Sequence, residues 1–258
     1  MDKERIRAML ERLPGKISLV AWQGETGERL EYHPDLPQVA ASVIKIPVMV
    51  EAFRRREAGL LDFSEEVTLR PEDKMPSCGA LTYMHDGLRV QVRDLVTLMI
   101  ILSDNTATNL LIDRLGIDAV NRTARELGLS AGTCLRRRLF DAERSRQGIE
   151  NTVTAGDMTA LLDKMLRGEL ISPAASAEML RILGDQRLNG KMPFYLHSRG
   201  IGCAHKTGED DGITHDVGII QTEQPWIFCF LRSETDVPAA ERVIQRTAAL
   251  LCGIAPED

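Results

Sequence analysis

The sequence predicts an α/β (α+β) fold: a five-stranded antiparallel sheet flanked by the N- and C-terminal helices, with an all-helical domain inserted into it. Three observations predict this fold. Two short strand-like stretches lie near the N-terminus, helical periodicity dominates the middle of the chain, and three more strand-like stretches follow residue 200. The predicted sheet domain comprises residues 1–45 and 196–258, and the predicted helical domain comprises residues 46–195.

The first predicted elements are a helix and a hairpin. Apolar residues recur at helical spacing over residues 2–13, and Pro14 with Gly15 ends that pattern. Residues 17–22 and 29–32 are typical of two strands joined by a glycine-containing turn. This hairpin supplies two strands of the predicted sheet.

The middle of the chain predicts six helices, because apolar residues fall at positions i, i+3 and i+4 over residues 48–58, 92–102, 106–115, 119–127, 155–166 and 173–182. The last part predicts three strands and a closing helix, over residues 203–207, 215–221, 226–232 and 238–252. A sheet built from both ends of the chain meets the helical domain along a seam. Such a seam leaves a cleft in which distant motifs converge.

Composition and charge exclude some classes of function. The chain has 258 residues, 43% hydrophobic and 27% charged, which is typical of a globular protein. A net charge of -6 argues against nucleic acid as a partner, because phosphate binding needs a basic surface. The run Arg136-Arg137-Arg138 is interpreted as a solvated stretch rather than as a polyanion site.

No cofactor, metal or membrane partner is predicted. The five cysteines form no C-x-x-C pair and are odd in number, and the five histidines form no metal-ligand spacing. Neither a signal peptide nor an apolar run of membrane-spanning length is seen. The expectation is a monomer in the cytoplasm, with a periplasmic or secreted protein as the alternative where a leader has been removed.

The first motif is Ser42-Val43-Ile44-Lys45. If Ser42 opens a helix, the spacing places Lys45 one turn away on the same face, within reach of the hydroxyl. Apolar neighbours would desolvate the lysine and favour its neutral, basic form. A helix cap beside a solvated lysine is the alternative for an isolated Ser-x-x-K.

Two further motifs follow, Ser103-Asp104-Asn105 and Lys206-Thr207-Gly208. In an extended connection Ser103 and Asn105 point to the same side, where they offer a hydroxyl relay and an amide. Lys206 lies on a predicted strand, and Gly208 permits close approach of a substrate to the sheet edge. A plain helix cap and an exposed edge lysine are the alternatives.

The order and spacing of the three motifs resemble those of class A β-lactamases and penicillin-binding serine hydrolases, since Ser103 follows Ser42 by 61 residues and Lys206 follows Ser103 by 103. The resemblance covers most of the chain and implies an acyl-serine mechanism on a β-lactam or related acyl substrate. It implies Ser42 as nucleophile, Lys45 as its proton acceptor and Ser103 as relay to the leaving nitrogen. Asn105, Lys206 and Thr207 would bind substrate, and the N–H groups of Ser42 and Glu209, beside Gly208, would form the oxyanion hole.

The sequence departs from the family at the deacylation step. Class A enzymes use a glutamate, with an asparagine a few residues on, to activate the deacylating water. The corresponding stretch offers Asp141, Glu143 and Glu150 as candidates, but Asp141 and Glu143 lack the following asparagine, and surface carboxylates among arginines are the expected role of at least two of the three. No carboxylate-binding arginine is seen over residues 226–231.

Several functions therefore stay open. The first is a serine hydrolase that opens a β-lactam amide through an acyl-Ser42 intermediate. The second is a penicillin-binding acyl acceptor that deacylates slowly, and the third is a peptidase or esterase. A non-catalytic protein on the same fold is the fourth, because fold does not determine function.

Overall fold

Residues 2–255 are described by a computed structural model, and its centre is the five-stranded antiparallel sheet that the sequence predicts. Nine strands are present in this range: β1 (Lys16–Gln23), β2 (Glu28–Tyr32), β3 (Gln38–Val39), β4 (Glu66–Thr68), β5 (Arg89–Gln91), β6 (Thr152–Val153), β7 (Gly202–Asp210), β8 (Ile213–Gln221) and β9 (Trp226–Ser233). The sheet has the order β2-β1-β9-β8-β7, so strands from both ends of the chain are neighbours. Its β7 edge carries the third motif.

The predicted helices are all present, with ends that move by a few residues. The α-helices are α1 (Lys3–Glu11), α2 (Lys45–Glu57), α3 (Val92–Ile101), α4 (Asn105–Leu115), α5 (Ile117–Glu126), α6 (Ala142–Arg146), α7 (Ala155–Leu166), α8 (Pro173–Gly184) and α9 (Val237–Leu251). Helix α6 was not predicted, because five residues are too few to show a period. The division into domains at residues 45/46 and 195/196 stays a prediction.

The sheet separates two apolar cores because successive side chains of a strand point to opposite faces. On β9, Ile227, Cys229 and Leu231 face the larger core, which the helices α2 to α5, α7 and α8 complete. Phe228 and Phe230 face the smaller core, beneath α1 and α9. Both faces are therefore covered, as the predicted terminal helices require.

The structure contains two small ladders that the sequence did not predict, and one of them adjoins the first motif. Strand β3 pairs with β6, and β4 pairs with β5. Two- and three-residue strands carry too little alternation to be recognised from sequence. The β3–β6 ladder holds the residues just before Ser42 against those just after the loop 135–151, so nucleophile and loop share one anchor.

Strand β9 extends to Ser233 and carries an arginine, Arg232, one residue past the range 226–231 that contains none. That side chain is fully buried and donates to the main-chain oxygens of Leu10, Leu13 and Pro14. Arg232 thus braces the end of α1 and is bound on the smaller-core side of the molecule.

Two further features bear on the predictions for cysteines and membranes. All five cysteines are free thiols, and Cys229 lies buried in the larger core. None of the helices within residues 2–255 combines the length and apolar character needed to cross a bilayer.

Candidate active site

Ser42 was expected to open an α-helix, but it lies just before α2. It belongs to a 3₁₀ turn, Ala41–Ile44, and α2 begins at Lys45. Ala41 adopts a left-handed conformation (φ 43°), which is uncommon for a residue with a side chain and is typical of functional sites. The tight turn still brings Lys45 Nζ to 2.9 Å from Ser42 Oγ, so the predicted contact is present.

Lys45 is the centre of a hydrogen-bond cluster. Besides Ser42, its Nζ atom contacts Ser103 Oγ and Asn105 Oδ1, each at 2.9 Å, and the Ser103 main-chain oxygen at 2.7 Å. The Ser103 main-chain oxygen and Asn105 Oδ1 can only accept hydrogen bonds, whereas the two hydroxyls can also donate. A neutral amine can therefore donate to those two acceptors and keep its lone pair for the Ser42 hydroxyl.

Burial favours that neutral amine. The Lys45 side chain is inaccessible to solvent, and its pKa lies well below the usual range, mainly because desolvation disfavours the ammonium form and next because Lys206 is a nearby positive charge. The interpretation of Lys45 as a solvated lysine is wrong. Its apolar surroundings match those expected from the sequence.

The second motif is held by its middle residue. Asp104 is buried, caps α4 through Ala107 N and accepts from the main-chain N–H groups of Ala80 and Leu81. Ser103, next to this anchor, adopts a left-handed conformation (φ 53°), and its hydroxyl contacts both Lys45 and Lys206. A Cβ on Gly79 would lie 2.4 Å from the Asp104 carboxylate, so only glycine fits there.

Lys206 completes a chain of contacts that begins at Ser42. Its Nζ atom donates to Ser103 Oγ at 3.1 Å and to the Thr207 main-chain oxygen at 2.9 Å. The side chain is fully buried, and desolvation lowers the pKa of Lys206 to about 7, although Asp216 opposes that shift. The three motifs therefore converge in the order Ser42, Lys45, Ser103, Lys206.

The residues after Lys206 form the edge of the cleft. Thr207 is buried, whereas Glu209 is exposed and lines the cleft with Ser42. A Cβ on Gly208 would lie 3.0 Å from His215 and 3.1 Å from Val43. The glycine thus lets β7 approach the turn that carries the nucleophile. The prediction was instead that Gly208 permits close approach of a substrate.

The cleft has a volume of about 610 Å³. Ser42, Asn105 and Glu209 line it on one side, and residues of the loop 135–151 line it on the other. Cys78 also lies at its wall, next to Asn105, whose main-chain N–H it accepts through its carbonyl oxygen. The predicted nucleophile therefore opens onto a cavity of ligand size.

Two of the candidate deacylation carboxylates of this loop, Asp141 and Glu150, line the cavity and are hydrogen-bonded, and the third lies away from it. Glu150 accepts from the Arg137 guanidinium and from Ser145 Oγ. Asp141 caps α6 by accepting from Arg144 N at 3.1 Å. Glu143 is exposed on α6 and does not line the cavity.

The arginine run of this loop corrects another prediction. Arg136 and Arg137 are half-buried rather than solvated, and only Arg138 is exposed. Arg136 donates to the Glu150 main-chain oxygen and to Thr152 Oγ1, and Arg138 pairs with Asp113 at 3.2 Å. Arg136 and Arg137 brace the loop internally and Arg138 pairs with α4, so the charges of the run are used within the protein.

Sequence reasoning missed two buried polar groups beside the third motif. His205 Nδ1 lies 2.8 Å from Asp216 Oδ1, and both side chains are fully buried. Lys191 is buried against the β7 edge at Gly208. Alternation with Lys206 could have placed His205 on the opposite face of β7, but nothing local signals Lys191, whose partners are distant in sequence.

Comparison with known families shows the family to which the chain belongs. The sequence model of the β-lactamase enzyme family matches residues 2–254. The chain belongs to the β-lactamase enzyme family. As a member of this family it is a hydrolytic enzyme, and the resemblance stated from the three motifs is confirmed.

Solved structures agree with this assignment. The β-lactamase of Sphaerobacter thermophilus is 31% identical over the whole of both chains, with a TM-score of 0.89. PBP-A, solved also as the penicillin G acyl-enzyme of a single-residue mutant, is 28% identical; that mutant has a TM-score of 0.87, with 96% of this chain and 94% of that chain covered. An ancestral class A β-lactamase, 24% identical over 98% of this chain and 99% of its own, shares the fold with a TM-score of 0.88.

Proposed function

We propose that this β-lactamase-family enzyme opens the amide of a β-lactam through a covalent acyl-Ser42 intermediate that deacylates slowly. The observation that carries the proposal is the chain of contacts from Ser42 Oγ through Lys45 and Ser103 to Lys206. The penicillin G acyl-enzyme of the PBP-A mutant, whose chain is 28% identical, supports the choice of substrate.

The acylation step moves one proton from Ser42 to Lys45 and then one from Lys45 to the leaving nitrogen. Neutral Lys45 takes the proton of Ser42 as Oγ bonds to the β-lactam carbonyl carbon, and the carbonyl becomes an oxyanion. The main-chain N–H groups of Ser42 and Glu209 stabilise that oxyanion. The carbon–nitrogen bond then breaks, and Ser103 passes a proton from Lys45 to the leaving nitrogen.

Substrate recognition uses the remaining motif residues. Asn105 contacts Lys45 and lines the cavity, where it is placed to bind the acyl side of the substrate. Lys206 and Thr207 are buried, so Lys206 attracts the substrate carboxylate through its charge and through the Ser103 hydroxyl that it contacts. The proposed substrate is small, and the enzyme acts as a monomer without cofactor or metal.

Slow deacylation is the second part of the proposal, and the loop 135–151 supports it. A deacylating water needs a carboxylate that is free to accept its proton. Glu150 is held by Arg137 and Ser145, Asp141 caps α6, and Glu143 lies away from the cavity. The acyl-enzyme is therefore expected to form much faster than it is hydrolysed.

Intact-mass analysis during exposure to benzylpenicillin tests both parts. The expected result is a stoichiometric adduct that forms quickly, decays slowly and is absent from Ser42→Ala. Fast steady hydrolysis without an adduct would retain the acyl-serine route but reject slow deacylation. Full activity of Ser42→Ala on any substrate that the enzyme cleaves would reject the mechanism, and absence of both adduct and hydrolysis would favour a peptidase or esterase.

A further inference from the structure

Lys191 is a buried lysine that the acylation scheme does not use. The residue belongs to the connection between α8 and β7, and its side chain is 4% exposed. Its Nζ atom lies 3.2 Å from the Gly208 main-chain oxygen and 3.4 Å from that of His215. Gly208 and His215 are directly opposite in the β7–β8 ladder, so Lys191 joins the two strands at the third motif.

Two carboxylates surround the same ammonium group. Glu209 Oε1 lies 3.0 Å from Lys191 Nζ and Glu241 Oε1 lies 3.6 Å from it. Burial of a lysine is costly unless the charge is paired and hydrogen-bonded, and here two carbonyls and two carboxylates supply the partners. The arrangement is a built site for one ammonium group against the strand edge.

The contact with Gly208 matters because of peptide geometry. The Gly208 carbonyl and the Glu209 N–H belong to one peptide group, and in a planar trans peptide they point in opposite directions. No cis peptide occurs within residues 2–255. A donor that holds the Gly208 oxygen therefore also sets the direction of the Glu209 N–H.

That peptide lies in the β7–β8 ladder, at the open edge of the sheet. Strand β7 is an edge strand, so only β8 pairs with it in the sheet. Gly208 has no side chain to pack, and the Glu209 side chain is 53% exposed. Besides that ladder, the buried Lys191 contacts both the carbonyl of this peptide and the side chain that follows it.

We infer that Lys191 is a positioning residue, which directs the Glu209 N–H toward the oxyanion by holding the Gly208 carbonyl. The inference rests on the proposed acyl-Ser42 function. An oxyanion hole contributes through its preorganisation, and a small misplacement of one donor weakens it. Lys191 acts through the peptide group and does not touch the substrate.

The first experiment measures the acyl-enzyme itself. Wild type and Lys191→Met are acylated with benzylpenicillin that carries a heavy-carbon label at the β-lactam carbonyl, and the ester carbonyl stretch is read from infrared difference spectra. A hydrogen bond to that carbonyl lowers its stretching frequency. Lys191→Met is expected to move the band to higher wavenumber and to slow acylation by about tenfold to a hundredfold, less than the ~10²–10³ that loss of a donor costs.

Two matched variants separate positioning from general damage. Like Lys191, Lys164 donates to a main-chain oxygen, in this case that of Leu127. Neither Lys164 nor Lys191 lines the cleft. Lys164→Met is expected to leave the ester band and the acylation rate unchanged. Glu241→Gln removes one carboxylate partner of Lys191 but leaves the Gly208 contact, so it is expected to leave the band in place.

Lys191→Gln provides the same test if the methionine variant does not fold, because it keeps a polar group in the site but ends one bond short of the lysine nitrogen. A wild-type ester band in a folded Lys191→Met or Lys191→Gln overturns the inference. The inference is also overturned if the ester band of Glu241→Gln shifts as far as that of the Lys191 variants. Absence of any adduct in the wild type rejects the proposed function instead, so the two failures are distinguishable.

Discussion

The buried lysine pair behind the cleft, Lys45 and Lys206, and the loop 135–151 that lines the cleft use their charged side chains in contrasting ways. Lys45 and Lys206 are buried without a contacting carboxylate among residues 2–255, and desolvation lowers the pKa of both. In the loop, Arg137 and Glu150 neutralise each other through direct hydrogen bonds. An unpaired buried amine is reactive, whereas a paired carboxylate is structural. The comparison indicates a site that is assembled for acylation and poorly equipped for deacylation.

The largest effect is expected from removal of the buried base. Lys45→Met should slow acylation by ~10²–10⁴, the usual contribution of general-base catalysis, because no other amine contacts Ser42 Oγ within the described part of the chain. Stopped-flow measurement of adduct formation checks this in protein shown to be folded by circular dichroism. Acylation at the wild-type rate would remove Lys45 from its role and break the comparison on the lysine side.

A smaller effect is expected from titration of Lys206. Because its pKa is about 7, the ammonium form is present below pH 7 and is lost as the pH rises above it. Attraction of the substrate carboxylate should therefore fall about tenfold per pH unit above pH 7. The measurement is the ratio of acylation rates for benzylpenicillin and its methyl ester, because any titration of Lys45 affects both substrates alike.

Lys206→Arg is the matched variant for this titration, since arginine stays charged over the whole range. Its ratio is expected to be independent of pH between 6 and 9. A wild-type ratio that does not change with pH would show that Lys206 does not recognise the carboxylate.

The smallest effect on chemistry is expected at the loop. Glu150→Gln should leave deacylation unchanged within about twofold, because Glu150 is already bound to Arg137 and Ser145. It should lower the free energy of unfolding by about 1–3 kcal/mol, the usual cost of removing one partner of a charged hydrogen bond. Decay of the intact-mass adduct and urea denaturation measure the two quantities.

Asp113→Asn is a control for the stability arm, because Asp113 pairs with Arg138 of the same run in an exposed position and should cost only ~0–1 kcal/mol. Deacylation slowed tenfold or more in Glu150→Gln would identify Glu150 as the deacylation base. The contrast between the buried lysine pair and the loop 135–151 would then be wrong.

Much of this architecture could be predicted from the sequence. Period-two and period-3.6 patterns predicted the five sheet strands and the long helices, because each such element buries one regular face. The elements that were missed, such as β3, β6 and α6, are too short to show a period. Their existence depends on the neighbours that they meet in the folded chain.

The candidate site divides in the same way. By itself the sequence determined which residue types carry the chemistry and that Ser42 and Lys45 lie about one turn apart, because a three-residue spacing is a local property of helical backbone. Only the tertiary structure decided that Lys206 contacts Ser103, that Arg137 binds Glu150 and that Lys191 donates to the Gly208 carbonyl. Desolvation and hydrogen bonding between distant segments depend on which side chains meet after folding, and no local pattern encodes those contacts.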